Sequence, residues 1–177
     1  MSKPTPASPV KLIFSVLAKE TKFLNEAIKA LCHNYGQADY ISAKTLFDYT
    51  DYYCSEMGED IIRRFISMEE LIGPEILPDV KLATNKIEDD LVRDNRRRVN
   101  IDPGYVSQAH LILATGKGYS HRPYLRDGIY ADLTLIFQAG KFIFLPWTYP
   151  DYADEKQMTM FAKIRAKYLL QLKNKQR

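Results

Sequence analysis

The sequence predicts an α+β protein: a single two-layer domain with a mixed or mostly antiparallel sheet of about six strands and three main helices. Three observations carry this expectation. Strand-length apolar runs outnumber helical stripes, those helical stripes are long enough to cover a sheet, and helices are too few to alternate with every strand as a doubly wound parallel sheet requires. The chain has 177 residues, of which 46% are hydrophobic, enough length and apolar surface for one core.

The first nine residues carry Pro4, Pro6 and Pro9, which withhold backbone donors and helical angles, so 1–9 is expected to be a flexible arm and 10–177 the folded domain. Lys11 to Ala18 (KLIFSVLA) has the length and apolarity of a buried strand. Thr21 is placed to cap a helix whose apolar stripe is Leu24, Ile28, Leu31 and Tyr35, with Gly36 suited to the terminating turn. Two strands follow at 40–48 and 61–68, and the intervening DYYCSEMGED contributes a helical turn.

Ile76, Val80, Ala83, Ile87 and Leu91 step by three or four residues, predicting a second helix that ends before Asn95. A strand is expected at 107–115. Ile129, Ala131, Leu133, Leu135 and Phe137 alternate with more polar neighbours, and Ala139-Gly140 turns this strand into Lys141 to Leu145 as a hairpin. Met158, Phe161, Arg165, Tyr168 and Leu172 mark the final helix. The opening strand-helix-strand-strand-helix-strand order admits an extended ferredoxin-like core.

Charged residues make up 27% and the net charge is +3, too small to advertise nucleic-acid binding without local clustering. Cys32 and Cys54 lack CxxC or zinc spacing and read as structural thiols. No apolar run approaches membrane-spanning length and the N-terminus has no signal-peptide core, so a cytoplasmic protein with no membrane partner is expected.

Three clusters carry chemistry. The first is RRRVNIDPGYV, residues 96–106. Pro103 and Gly104 predict a rigid turn through Asp102-Pro103-Gly104-Tyr105 between two extended segments, holding the Asp102 carboxylate in place. Asp102 then either caps that turn or faces a ligand. Arg96, Arg97 and Arg98 either complement the preceding helix end or send one or two guanidinium groups toward an anion.

The second cluster is GKGYSHRPYLRDG, residues 116–128, where Lys117, His121, Arg122 and Arg126 sit among glycines 116, 118 and 128. Exposed amides and cations together suit a phosphate or carboxylate. This is no Walker loop: Leu111 stands five residues before Gly116, and Gly118 follows Lys117. His121 is either an acid, base or anion donor, or a surface imidazole satisfied by water. The third cluster is WTYPDY, residues 147–152: Tyr149 and Asp151 offer stacking and a hydroxyl acceptor, while Trp147 suits corner packing and Asp151 a helix cap.

The ordered motifs DYYCSEMG, NIDPGY, HRPYLRDGIYADLTL and WTYPDY resemble an uncharacterised bacterial family, domain of unknown function forty-four-sixteen, whose members are sometimes labelled GTP-binding proteins. The resemblance covers nearly the whole chain. It implies that Tyr52, Glu56, Arg64, Asn100, Asp102, Tyr105, His121, Arg122, Asp132, Tyr149 and Asp151 match the family's most recognisable positions. It implies no activity. The residues themselves give the GTP label no support, since Asn85-Lys86-Ile87-Glu88 departs from an NKxD motif and lies inside an expected helix.

The functional expectation is a small phosphorylated or otherwise anionic ligand, with a nucleotide as one case, bound in a polar cleft at the loop ends of the sheet. Arg97, Arg98, Lys117 and Arg122 would hold the anion; Asn100, Tyr105 and Tyr149 would contribute recognition; Glu56, Asp102 or Asp151 would orient a hydroxyl or magnesium accompanying a nucleotide. His121 and Asp102 are the candidates for catalysis. RNA binding through Arg96 to Arg98, the loop cations and the Lys173, Lys175 and Arg177 tail is the alternative, and a non-catalytic interaction module the third.

Overall fold

A computed structural model describes residues 3–50 and 54–175. Strand β1 (Val10–Ala18) lies between β4 (Ile62–Ile72) and β5 (Val99–Val106), antiparallel to both. All nine of its residues are buried, which explains why this strand reads as an unbroken apolar run rather than an alternation. Its side chains divide by parity. Leu12, Phe14, Val16 and Ala18 pack with Phe23, Leu24, Ala27 and Leu31 of α1 (Thr21–Tyr35), and Val80 and Ile87 of α3 (Leu77–Asp90) join that cluster. Ile13 and Phe65 pack on the other face against Phe161 and Ile164 of α5 (Glu155–Lys175). Each fully buried Phe or Leu contributes about 1.5–3 kcal/mol to such clusters.

The sheet order is β2-β4-β1-β5-β6-β8-β7, with β3 also pairing with β4 and β9 with β8. Here β2 is Ala38–Ile41, β3 Thr45–Leu46, β6 His110–Thr115, β7 Tyr124–Arg126, β8 Ile129–Gln138 and β9 Lys141–Phe144. Every ladder is antiparallel. The α+β class and the largely antiparallel sheet are therefore observed. The two-layer expectation is corrected, because α5 covers the sheet face opposite α1 and α3.

Among the described residues, nine strands form where about six were expected. The run at 40–48 divides into β2 and β3 around Ser42, whose hydroxyl accepts the Phe65 amide at 2.9 Å. The segment Val99–Val106 forms a strand of its own, and β7 falls inside the Gly-rich loop. Two helices have only one turn, α2 (Cys54–Met57) and α4 (Pro150–Ala153). Glu20, rather than Thr21, stands at the N-cap of α1, and Gly36 ends that helix at φ +85°, as its position predicts. Asp154, rather than Asp151, caps α5, its carboxylate accepting the amides of Lys156 at 2.8 Å and Gln157 at 3.3 Å.

Residues 3–9 are exposed and carry no helix or strand, and the Pro9 carbonyl accepts the Tyr168 hydroxyl at 2.8 Å. Cys32 is a free thiol, partly buried against the α1 cluster. Among the described residues, no helix is long and apolar enough to cross a membrane.

Candidate functional site

The site begins at a break in a ladder. Strand β5 pairs with β1 from Val99 to Val106, but with β6 only through Gly104, Tyr105 and Val106. Successive backbone groups on a strand alternate sides, so those of Ile101 and Pro103 face the side that β6 has left. Pro103 has no donor to lose there. Ile101 keeps both bonds through α3: its amide donates to Glu88 Oε1 at 2.7 Å, and its carbonyl accepts Lys81 Nζ at 3.0 Å. Gly104 marks the last close contact, since a Cβ there would lie 2.4 Å from the Ile112 carbonyl oxygen. The rigid turn expected at Asp102-Pro103-Gly104-Tyr105 is thus a strand, and helix side chains replace its missing ladder partner.

A cleft of ≈ 730 Å³ opens beside this break. Ser15 and Leu17 of β1 lie along it, which puts it on the sheet face opposite α1. It brings together Arg97, Asn100, Asp102, Lys117, Tyr149 and Asp151 from three distant segments of sequence. Arg97 pairs with Glu88 and with the Asn100 amide oxygen, and donates to the Val99 carbonyl at 3.0 Å. Asn100 Nδ2 donates in turn to Asp102 Oδ2 at 2.6 Å, while Lys81 Nζ stands 3.6 Å from Asp102 Oδ1. Burial raises the Glu88 carboxyl above the usual range, although Arg97 and Lys81 pull the other way.

Deeper in the cleft, Arg63 of β4 pairs with Asp151 of α4. The Arg63 guanidinium lies over the rings of Phe65 at 4.5 Å, Phe47 at 5.0 Å and Tyr49 at 5.6 Å. Burial raises the Asp151 carboxyl, with Arg63 opposing the rise. It also pushes the Tyr152 phenol well above its ordinary value, and the charges of Asp151 and Asp102 add to the effect.

At the rim, Arg122 ties three segments together: it donates to Asp132 Oδ2 at 2.8 Å, to the Tyr149 hydroxyl at 2.7 Å and to the Lys117 carbonyl at 3.1 Å. His121 occupies an adjoining hollow of ≈ 590 Å³. Its ring stacks on Trp147 at 4.9 Å and meets Tyr119 edge-on at 5.3 Å. His121 Nε2 lies 3.7 Å from Asp132 Oδ2 and has no hydrogen-bond partner among the described residues. The two hollows meet at Tyr149, which lines both, while Asp132 touches His121 on one side and lines the main cleft on the other.

Several expected residues lie elsewhere. Arg98 turns to Asp94 at 3.0 Å and Glu20 at 3.6 Å, with its guanidinium over Phe23, because the adjacent Arg97 takes the cleft side. Tyr105 has odd parity on β5 and packs with Leu77, Ala114 and Ile129 on the opposite face from Asn100 and Asp102. Glu56 is exposed on α2 and reaches the site only through Arg97, at 3.5 Å. Tyr52 and Arg177 lie outside the described residues.

Arg63 and Lys81 were missed as site residues, although each left a signal. Arg63 shares its strand face with Phe65, and Lys81 falls on the buried stripe of α3 with Leu77, Thr84 and Glu88. Asp132, nearly buried between His121 and Arg122, entered only through the family motif. Among the described residues, no group of three or more His, Cys, Asp or Glu side chains is placed to hold a metal ion, so the magnesium expectation finds no ligand set there.

The fold and site define a class: an α+β protein on an open antiparallel sheet, with an ion-paired polar cleft where two neighbouring strands part. The chain belongs to the family described as Domain of unknown function (DUF4416), whose model matches residues 8–168. No curated protein and no solved structure matches it.

Proposed function

We propose that the protein binds a small phosphorylated or otherwise anionic ligand, a nucleotide being one case, in the cleft beside β5. The observation that carries this reading is the parting of β5 from β6, which leaves Lys81, Arg97 and Lys117 on a cleft that Asp102, Asp132 and Asp151 also line. A space of ≈ 730 Å³ accommodates a compact organic ligand. Because Lys81 and Arg97 already face Asp102 and Glu88, an entering anion shares these cations, while the carboxylates accept from hydroxyl groups. The reading therefore favours a ligand carrying both an anionic group and hydroxyls.

The proposed role is binding; proton transfer by His121 would have to run through Asp132. RNA recognition draws less support, since Arg98 turns to Glu20 and Asp94 while Arg97 lines the cleft, so the two cations do not form one outward basic patch. A cytoplasmic setting belongs to the same proposal. The strand order β2-β4-β1-β5, with α1 and α3 as connections, supports reading this half as an extended ferredoxin-like core whose outer strand borders the cleft.

Thermal unfolding across a panel of nucleotides, sugar phosphates and small carboxylates tests the reading. A ligand at one hundred times its Kd stabilises by about 2.7 kcal/mol. At least one phosphorylated compound is expected to do so, with the gain reduced in Lys117→Ala. No shift with any anion overturns the proposal.

A further inference from the structure

We infer that the hollow beside Trp147 is a second subsite for the same ligand, shaped to stack a planar ring, so that the molecule bound is a phosphorylated heterocycle rather than a plain sugar phosphate. This rests on the anion-binding reading of the main cleft. Tyr149 lines both spaces, and a ligand reaching past it would place its anionic group in the main cleft and its ring in the hollow.

The hollow offers ring faces rather than free charge. Tyr119, Trp147 and Tyr149 stay 69%, 38% and 47% exposed, although a corner that existed only for packing would bury such rings. Exposed aromatic side chains ordinarily lose rotational freedom when they bind. Here two are already fixed: Trp147 Nε1 donates to the Leu133 carbonyl at 2.8 Å, and the Tyr149 hydroxyl accepts Arg122 at 2.7 Å. His121 supports one face of Trp147, its plane within 15° of parallel. The surface is therefore organised before a ligand arrives, which lowers the entropic cost of stacking.

Charge points the same way. Arg122 is the cation of this hollow, and Asp132 already neutralises it at 2.8 Å. Its guanidinium carbon lies 6.0 Å from the ring centroids of both Tyr119 and Tyr149, between the two aromatic groups rather than turned outward as an anion clamp. An uncharged planar group complements this lining, while the anionic group fits the cleft.

Trp147 is the only tryptophan in the chain, so intrinsic emission reports the hollow directly. The probes are AMP, GMP and UMP, the corresponding nucleosides, and ribose 5-phosphate. At least one nucleoside monophosphate is expected to bind about tenfold or more tightly than ribose 5-phosphate, within the range that base stacking commands, and to change Trp147 emission where ribose 5-phosphate does not. Tyr119→Ala, at a position 69% exposed and outside the lining of the main cleft, is expected to erase that advantage while leaving ribose 5-phosphate affinity unchanged.

Equal binding of ring-bearing and ring-free phosphates, or an unaltered ratio in Tyr119→Ala, overturns the inference and leaves the anion site standing. Nucleosides that change Trp147 emission and bind as tightly as their monophosphates, with ribose 5-phosphate failing to bind, overturn the anion reading instead and keep the ring subsite. Failure of every probe overturns the inference, and the anion reading falls with it when the wider anion panel also gives no shift.

Discussion

Arg63 and Asp151 form an ion pair within the cleft from positions 88 residues apart, one on the sheet and one on a single-turn helix above it. The guanidinium is also enclosed by Phe47, Tyr49 and Phe65, so the pair joins strand, loop and helix into one wall. Its geometry makes the two charges interdependent: removing one strands the other away from water.

Replacement of Arg63 by Met is accordingly expected to cost about 3–5 kcal/mol in urea unfolding, and the double variant Arg63→Met with Asp151→Leu to recover most of it. A pH series sharpens the test. Burial raises the Asp151 carboxyl in the folded state, so the folded protein holds that proton more tightly and stability falls as pH rises from 3.8 through the raised value. Without Arg63 the opposing attraction is gone, and the fall is expected to continue to higher pH.

Glu88 accepts the Ile101 amide and pairs with Arg97, two tasks that substitution separates. Glu88→Gln keeps an acceptor for the amide and is expected to lose about 1.5–3 kcal/mol with the charge-assisted bonds. Glu88→Ala also leaves the amide and the Arg97 charge without this partner, and chemical denaturation should show a larger loss. Equal losses would mean that Glu88 does not stand in for the β6 ladder.

Gly104→Ala is expected to destabilise by about 1–3 kcal/mol, because the new Cβ meets the Ile112 carbonyl oxygen at 2.4 Å and strand β6 must shift. Calorimetry of the purified variant measures this. Gly116→Ala is the control: a methyl group at that position meets nothing within 4 Å, so the midpoint should stay nearly unchanged.

His110 is partly buried, its Nδ1 2.8 Å from the Ser107 hydroxyl, and burial lowers its pKa below 6.5. The unfolded chain therefore binds this proton more readily. The corresponding stability is complete above pH 6.5 and declines as pH falls toward the lowered value. His110→Gln is expected to flatten that acid-side decline in urea midpoints measured across the window.

Much of the scaffold was legible because local pattern and tertiary environment agree. The buried run of β1, the stripe of α1 with Gly36 behind it, and the alternation of β8 into the β9 hairpin all reflect faces that are in fact packed. NIDPGY misled because Pro-Gly chemistry reads as a turn, whereas Pro103 tolerates a strand whose neighbour has departed and Gly104 permits that neighbour's final approach. The replacement donors and acceptors come from α3, so nothing within those six residues discloses them. Asp102 and Arg97 were found through their clustering, and Asn100 through the family motif. Lys81 and Glu88 were not, because charges on an amphipathic helix ordinarily face solvent.

Three rungs, Gly104 to Val106 against Leu113 to Leu111, with the Ser107–His110 turn bond at their end, stitch the β4-β1-β5 half of the sheet to the β6-β8 half. That short seam is where the molecule should yield first: α3 and α5 act as splints across it, and loosening either would let the two halves breathe apart while each keeps its own ladder intact. Amide exchange is expected to register this as two separately opening blocks, with the boundary at Gly104.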